Sequence, residues 1–150
     1  SWTWDGVAFS FLHPTAKPMS ANNNSCVLQV RLGEHSIMLP GDIEAPVERA
    51  LALRYGEELQ SDIVLAPHHG STSSSSYAFI KRLQPTFVVF STGYRNSFGH
   101  PAESIVSRYT EFGTETLTTF QTGMLSFHLL PGVRNPRVVS YRKQYPRYWR

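Results

Sequence analysis

Two acid and imidazole motifs stand at the ends of apolar runs. Ala66-Pro67-His68-His69-Gly70-Ser71 follows Ile63-Val64-Leu65, and Pro40-Gly41-Asp42-Ile43-Glu44 follows Ile37-Met38-Leu39. Imidazole nitrogen and ionised carboxylate oxygen are ligands for divalent metals, and strand ends hold such groups rigidly while loops leave a coordination position open. The chemistry to which they point is metal-assisted hydrolysis. Asp42 and one histidine of the His68-His69 pair are the candidate ligands. Adjacent residues of an extended chain face opposite ways, so one of His68 and His69 is expected to bind metal and the other to face substrate or a second ion. Gly70 allows close approach of a ligand, and Ser71 adds a hydroxyl. The plainer readings are a polar strand end for the histidines and a helix cap for Asp42.

Further along, the apolar run Phe87-Val88-Val89-Phe90 is followed by a polar stretch carrying Asn96 and Gly99-His100-Pro101. Asn96 is a candidate for holding a phosphate, with Ser71, and His100 for catalysis beside His69; the alternative is a shaped turn. His13 before Pro14 reads as a turn residue, His35 as solvated in a hairpin turn, and His128 as structural. Glu48 reads as a solvated helix residue and Ser73 to Ser76 as loop. Cys26, the single cysteine, falls in an alternating run and reads as a packed core thiol.

These residues need elements to position them. Val7 to His13 reads as a strand, followed by a polar loop from Thr15 to Asn24. Cys26, Leu28, Val30 and Leu32 alternate, Gly33-Glu34 turns, and Ile37 to Leu39 returns as the second strand of a hairpin. From Ala45 the spacing of Val47, Leu51, Tyr55 and Leu59 predicts a helix with Pro46 in its first turn. Asp62 to Ala66 and Phe87 to Phe90 are short apolar runs suited to strands covered on both sides. Helices follow at Tyr77 to Leu83 and from Pro101 to Gly113, and Thr114 to Tyr141 reads as strands broken by Gly123 and Pro131-Gly132. This alternation is that of a layered α/β domain.

At 41% apolar residues, 150 residues are enough for one domain with a real core. No apolar run is long enough to cross a membrane, and no secretory leader is expected. One cysteine leaves neither an internal disulfide nor a CxxC metal pair. The net charge of +3 is concentrated at one end, where Arg134, Arg137, Arg142, Lys143, Arg147 and Arg150 stand without an acid and alternate with Tyr141, Tyr145, Tyr148 and Trp149. Such a segment attracts phosphates or anionic headgroups, and its aromatic faces suit unpaired bases; a solubilising terminus is the plainer account. Residues 134–150 are therefore set apart as a basic tail with Arg142, Lys143 and Arg147 as candidate DNA contacts, and residues 1–133 as the domain.

Asn23-Asn24-Ser25-Cys26-Val27-Leu28, Leu39-Pro40-Gly41-Asp42-Ile43-Glu44, Ala66 to Ser71, Ser91 through Asn96 to His100-Pro101, and Thr122-Gly123 together resemble the carboxy-terminal metallo-β-lactamase-like domain of the ComEC competence family. The resemblance runs over nearly the whole chain. It implies an αββα sandwich, of which this chain would form the carboxy-terminal half plus flanking strands, in a bacterial inner-membrane protein whose channel carries transforming DNA. It implies divalent-metal hydrolysis of phosphodiester bonds in the strand that is not imported, with Asp42 as the carboxylate bridging two metals and His68 as a ligand. The family's HxDxDH cluster is absent here, so weak or no metal binding and no activity are expected of this stretch alone. Asn23 and Asn24 stand where many relatives of the wider superfamily have a histidine, which favours manganese or magnesium over zinc. Half a sandwich is also expected to expose an apolar sheet face, through which the chain would form a homodimer. Two other readings stay open: a DNA-binding or scaffold module without catalysis, and an esterase of the wider superfamily.

Overall fold

The computed structural model describes residues 1–14, 19–130 and 132–146. Its centre is a seven-stranded sheet in sequential order: β1 (Trp2–Trp4), β2 (Val7–His13), β3 (Val27–Leu32), β4 (His35–Leu39), β5 (Ile63–Leu65), β6 (Phe87–Phe90) and β7 (Glu115–Thr118). The first four strands form an antiparallel meander, and β4 to β7 run parallel. Each parallel step crosses over through a helix: α1 (Ala45–Tyr55), α2 (Tyr77–Leu83) and α3 (Glu103–Glu111). Right-handed crossovers taken successively in one direction put all three helices on the same face.

That face holds the main core. Val27, Met38 and Val64 pack with Val47, Leu51, Phe79 and Leu83, and Ala66, Val88 and Phe90 pack with Ile80, Ile105 and Tyr109. Burying each of the larger aliphatic or Phe side chains contributes roughly 1.5–3 kcal/mol. Among the described residues the opposite face is covered chiefly over β5 to β7. There a hairpin of β8 (Leu125–His128) and β9 (Arg137–Ser140) lays Leu125, Phe127 and Val138 on Ile63, Phe87, Val89 and Leu117. The registers Trp2↔Phe9↔Val30↔Ile37 and Phe11↔Leu28↔Leu39 continue the apolar face beyond the hairpin. Trp2 and Phe11 remain 46% and 55% exposed on it. This one-sided mixed sheet is the layer arrangement of half an αββα sandwich.

Several expectations change in detail. The helix from Ala45 ends at Tyr55, because Gly56 takes a positive φ of 54°, and Leu59 reaches the core from a 3-10 turn. The helix expected from Pro101 starts at Glu103. Cys26 is exposed. In its hairpin, Val27 and Gln29 turn toward the helices, so the alternating set that includes Cys26 lies on the sparsely covered face. His35 is buried, not solvated, with Nε2 3.2 Å from the Leu130 carbonyl: the chain beyond β8 passes over its hairpin turn. Glu48 is likewise fully buried. Arg137–Ser140, inside the basic segment, is a strand paired with β8, and two short helical turns flank the closing hairpin, α4 (Thr119–Thr122) before β8 and α5 (Tyr141–Gln144) after β9. No helix among the described residues is long and apolar enough to cross a membrane.

Candidate functional site

The loops that leave the carboxyl ends of β4, β5 and β6 meet at one edge of the parallel sheet, the usual ligand position in open α/β sheets. The loop after β4 turns at Gly41, whose φ is 61° and where a Cβ would stand 2.8 Å from that of Ser25. The Gly41 carbonyl accepts from His68 N at 3.1 Å, and Asp42 N donates to Ser25 Oγ at 3.1 Å. Asp42 does not cap α1; the N-cap position is Glu44, which makes no side-chain cap bond either.

His68 and His69 are not on extended chain. Both adopt left-handed backbone, with φ of 48° and 55°, inside a 3-10 turn spanning Pro67–Gly70. Non-glycine residues in this region carry a cost of about 1–3 kcal/mol and concentrate at functional sites. The turn sends the two rings to different carboxylates. His68 Nδ1 lies 3.7 Å from Glu44 Oε1 and 3.3 Å from Ser73 Oγ, which itself donates to Glu44 Oε1 at 3.1 Å. His69 Nε2 lies 3.6 Å from Asp42 Oδ1, while its Nδ1 is 3.0 Å from the Ser91 carbonyl.

That last bond fixes the chemistry of His69. A carbonyl only accepts, so Nδ1 carries the hydrogen, and in the neutral ring Nε2 presents a lone pair toward Asp42. At 3.6 Å the two are too far apart to share a hydrogen bond. An imidazole lone pair and a carboxylate facing one space, the imidazole held from behind by a backbone carbonyl, is the donor arrangement of a divalent-metal ligand pair. Among the described residues no group of three His, Cys, Asp or Glu side chains converges on a common point. The donor chemistry of the pair fits a cation.

His100 faces this cluster edge-on, its ring centroid 6.0 Å from that of His68. Burial lowers its pKa below the usual histidine value, and the neighbouring His68 and His69 lower it further. Asn96 braces the loop that carries it: Nδ2 donates to the carbonyls of Gly93 and His100, and Oδ1 accepts from His100 N at 3.0 Å. Ser71 is buried, with its hydroxyl 3.2 Å from that of Ser73. Asn23 spends its amide on Glu44, accepting from its backbone N–H and donating to Oε2. Arg142 donates to the Phe120 carbonyl, Lys143 is exposed, and Arg147 lies outside the described residues.

Over 143 residues, 94% of its length, the chain is 38% identical to Competence protein ComA of Neisseria gonorrhoeae, matching 21% of that protein. It is 33% identical over 150 residues to Uncharacterized protein YcaI of Escherichia coli (strain K12), or 99% of the chain and 20% of the relative. With ComE operon protein 3 of Bacillus subtilis (strain 168) it shares 32% identity over 122 residues, 81% of the chain and 16% of the relative. No family model matches the chain.

The chain belongs to the ComEC competence family. It spans about a fifth or less of the curated relatives it matches.

Sequence reasoning passed over two residues in this ComEC-family site. Glu44 and Ser73 complete the His68 cluster, although Ser73 had read as low-complexity loop. The Asp42-x-Glu44 spacing just ahead of a helix was the one available signal for Glu44. Beneath them, Glu48 holds the Ser71 to Ser76 loop in place, accepting from Ser75 N at 2.5 Å and Ser76 N at 2.6 Å. Arg108 donates to the Ser75 carbonyl from the other side. Position 48 shares a helix face with Leu51 and Ala52 by its spacing, which marks a charged residue aimed inward.

Proposed function

We propose that this chain supplies part of a divalent-metal phosphodiesterase site, of metallo-β-lactamase type, in a DNA-uptake protein. The observation that carries the reading is the Asp42 and His69 pair, with a carboxylate and a lone-pair nitrogen 3.6 Å apart and the far side of the imidazole tied to Ser91. The names of the competence relatives supply the DNA context. Asp42 Oδ1 and His69 Nε2 would hold the cation. The chemistry supplied by a divalent ion held there would be polarisation of a phosphoryl oxygen and activation of water. Two carboxylates close by, Asp42 and Glu44, favour a hard ion such as manganese or magnesium.

The chain's own groups do the rest. Ser73 passes its hydrogen to Glu44 and so turns a lone pair toward His68 Nδ1, which orients the His68 ring. His100, its ring edge-on to that of His68, is placed to hydrogen-bond a group bound at this edge. Backbone donation from His68 to Gly41 and from Ala102 to Gly70 locks the three loops to one another.

The test is manganese-dependent cleavage of end-labelled linear DNA. It compares this chain, a longer polypeptide carrying the sequence upstream of it, and that polypeptide with Asp42→Ala. Cleavage is expected from the unmutated longer polypeptide and is expected to fall by at least ~100-fold in the variant. A longer polypeptide that binds DNA with a steep salt dependence, yet cuts with no divalent ion, would establish the binding-module reading instead.

A further inference from the structure

The loop between β6 and α3 carries a feature that the His and carboxylate chemistry does not use. Tyr94 and Phe98 are 71% and 80% exposed. Both rings are nonetheless held. Phe98 stacks on His100, with centroids 5.9 Å apart and planes 19° apart, and Tyr94 lies 6.4 Å from Phe120. The Arg95 guanidinium sits 5.2 Å from the Tyr94 ring, and Arg95 itself has a positive φ of 51°. The Asn96 amide, bonded to Gly93 and twice to His100, closes the loop on itself, so these rings are displayed on a braced loop.

Beside the rings opens a cavity of about 440 Å³ lined by Arg95, Asn96, His100, Thr118, Phe120 and Gln121 among others. No acidic residue lines it. Its size is that of a small-ligand site. Its chemistry combines aromatic faces, a cation, and amide and hydroxyl groups able to meet base edges and phosphate oxygens.

We propose that this loop is a subsite for an unpaired nucleotide of a DNA strand, with the base stacked on Tyr94 or Phe98 and a flanking phosphate against Arg95. The proposal rests on the phosphodiesterase reading, and it names the form of substrate that the site accepts. Aromatic side chains stack on bases only where the base face is free, so the subsite selects single-stranded or frayed ends over intact duplex. The Phe98 and His100 stack would place that nucleotide next to the His68 and His69 cluster. A lipid surface would also meet exposed aromatics and a cation, but the braced loop and the polar cavity wall favour a discrete planar ligand.

The experiment is fluorescence anisotropy with 5′-fluorescein dT12 and with a blunt hairpin duplex, in EDTA so that no strand is cut. The parent chain is compared with Tyr94→Ala, Phe98→Ala, Tyr94→Phe and Arg95→Gln, each checked by circular dichroism for a retained fold. The expected result is dT12 binding weakened roughly 5–100-fold by one or both alanine variants, the range of one lost base stack. Tyr94→Phe retains parental affinity, duplex binding changes little, and Arg95→Gln lowers the salt slope by about one. Unchanged dT12 affinity in both alanine variants overturns the proposal. So does an equal loss on duplex, or, in a parallel sedimentation assay with phosphatidylglycerol vesicles, a loss confined to the vesicles. Because binding is read without hydrolysis, failure here leaves the cleavage reading standing, and failure to cut leaves this subsite standing.

Discussion

Gly70→Ala is expected to destabilise the chain by about 2–4 kcal/mol, combining left-handed strain with overpacking. Gly70 has a φ of 85°, and a Cβ there would lie 2.7 Å from Phe90 Cδ1 and 2.8 Å from Pro101 Cβ. Phe90 has no room to yield, since it is fully buried and packed edge-to-face on Tyr109. Pro101 follows His100 directly, and the Gly70 carbonyl accepts from Ala102 N at 3.0 Å. The added methyl therefore pushes the His100 loop away from the His68 and His69 turn. In the cleavage-competent longer polypeptide, a displacement of this order should cost about 100-fold in rate. Gly113→Ala is the control. Its φ of 76° is similar, but nothing lies within 4 Å of the added carbon, so urea denaturation should show only the smaller conformational cost of about 1 kcal/mol. Equal destabilisation of the two variants would remove the steric argument.

The second large effect concerns Glu48. Truncation to alanine leaves the N–H groups of Ser75 and Ser76 without their acceptor in the core and opens a void. The expected loss is about 2–4 kcal/mol, or a Tm lower by roughly 5–15 °C for a domain of this size. The buried site pushes the Glu48 pKa up from 4.5, chiefly through desolvation, with hydrogen bonds from Ser76 and Ser75 and the charge of Arg108 acting the other way. The pH dependence follows from this direction. The folded state holds a proton that the unfolded chain releases, so the parent loses stability as pH rises from the ordinary carboxylate pKa through the raised one. Glu48→Gln should abolish that slope while keeping one acceptor. A slope of the same size in the glutamine variant would assign it to another group. Because the Ser71 to Ser76 loop carries Ser73 to His68 and Glu44, Glu48→Ala should also loosen the site in the longer polypeptide.

Local pattern made much of this molecule legible. The apolar runs 63–65 and 87–90 are central parallel strands, the hairpin turns at Gly33-Glu34, one helix carries Pro46 in its first turn and another begins after Pro101, because periodicity and turn chemistry act over a few residues. The motifs that carry reactive groups were legible for the same reason: each directly follows a strand, and parallel strands deliver their ends to one edge. The basis for family membership lay in those motifs as well.

What the tertiary structure decided is which groups meet and which face is covered. Extended chain was the natural expectation for His68 and His69, yet consecutive left-handed residues turn one ring to Glu44 and the other to Asp42, a choice made by packing around Gly70. Alternation in β3 showed two faces but not which one would meet the helices, so Val27 and Gln29 entered the core and Cys26 did not. Glu48 and His35 are buried because distant elements close over them, the Ser75-Ser76 backbone in one case and the segment at Leu130 in the other. Sequence periodicity determined the elements, since it reports each residue's relation to its near neighbours. Burial, pairing and charge state were decided only by contacts between residues far apart in the chain, and those contacts assemble the site.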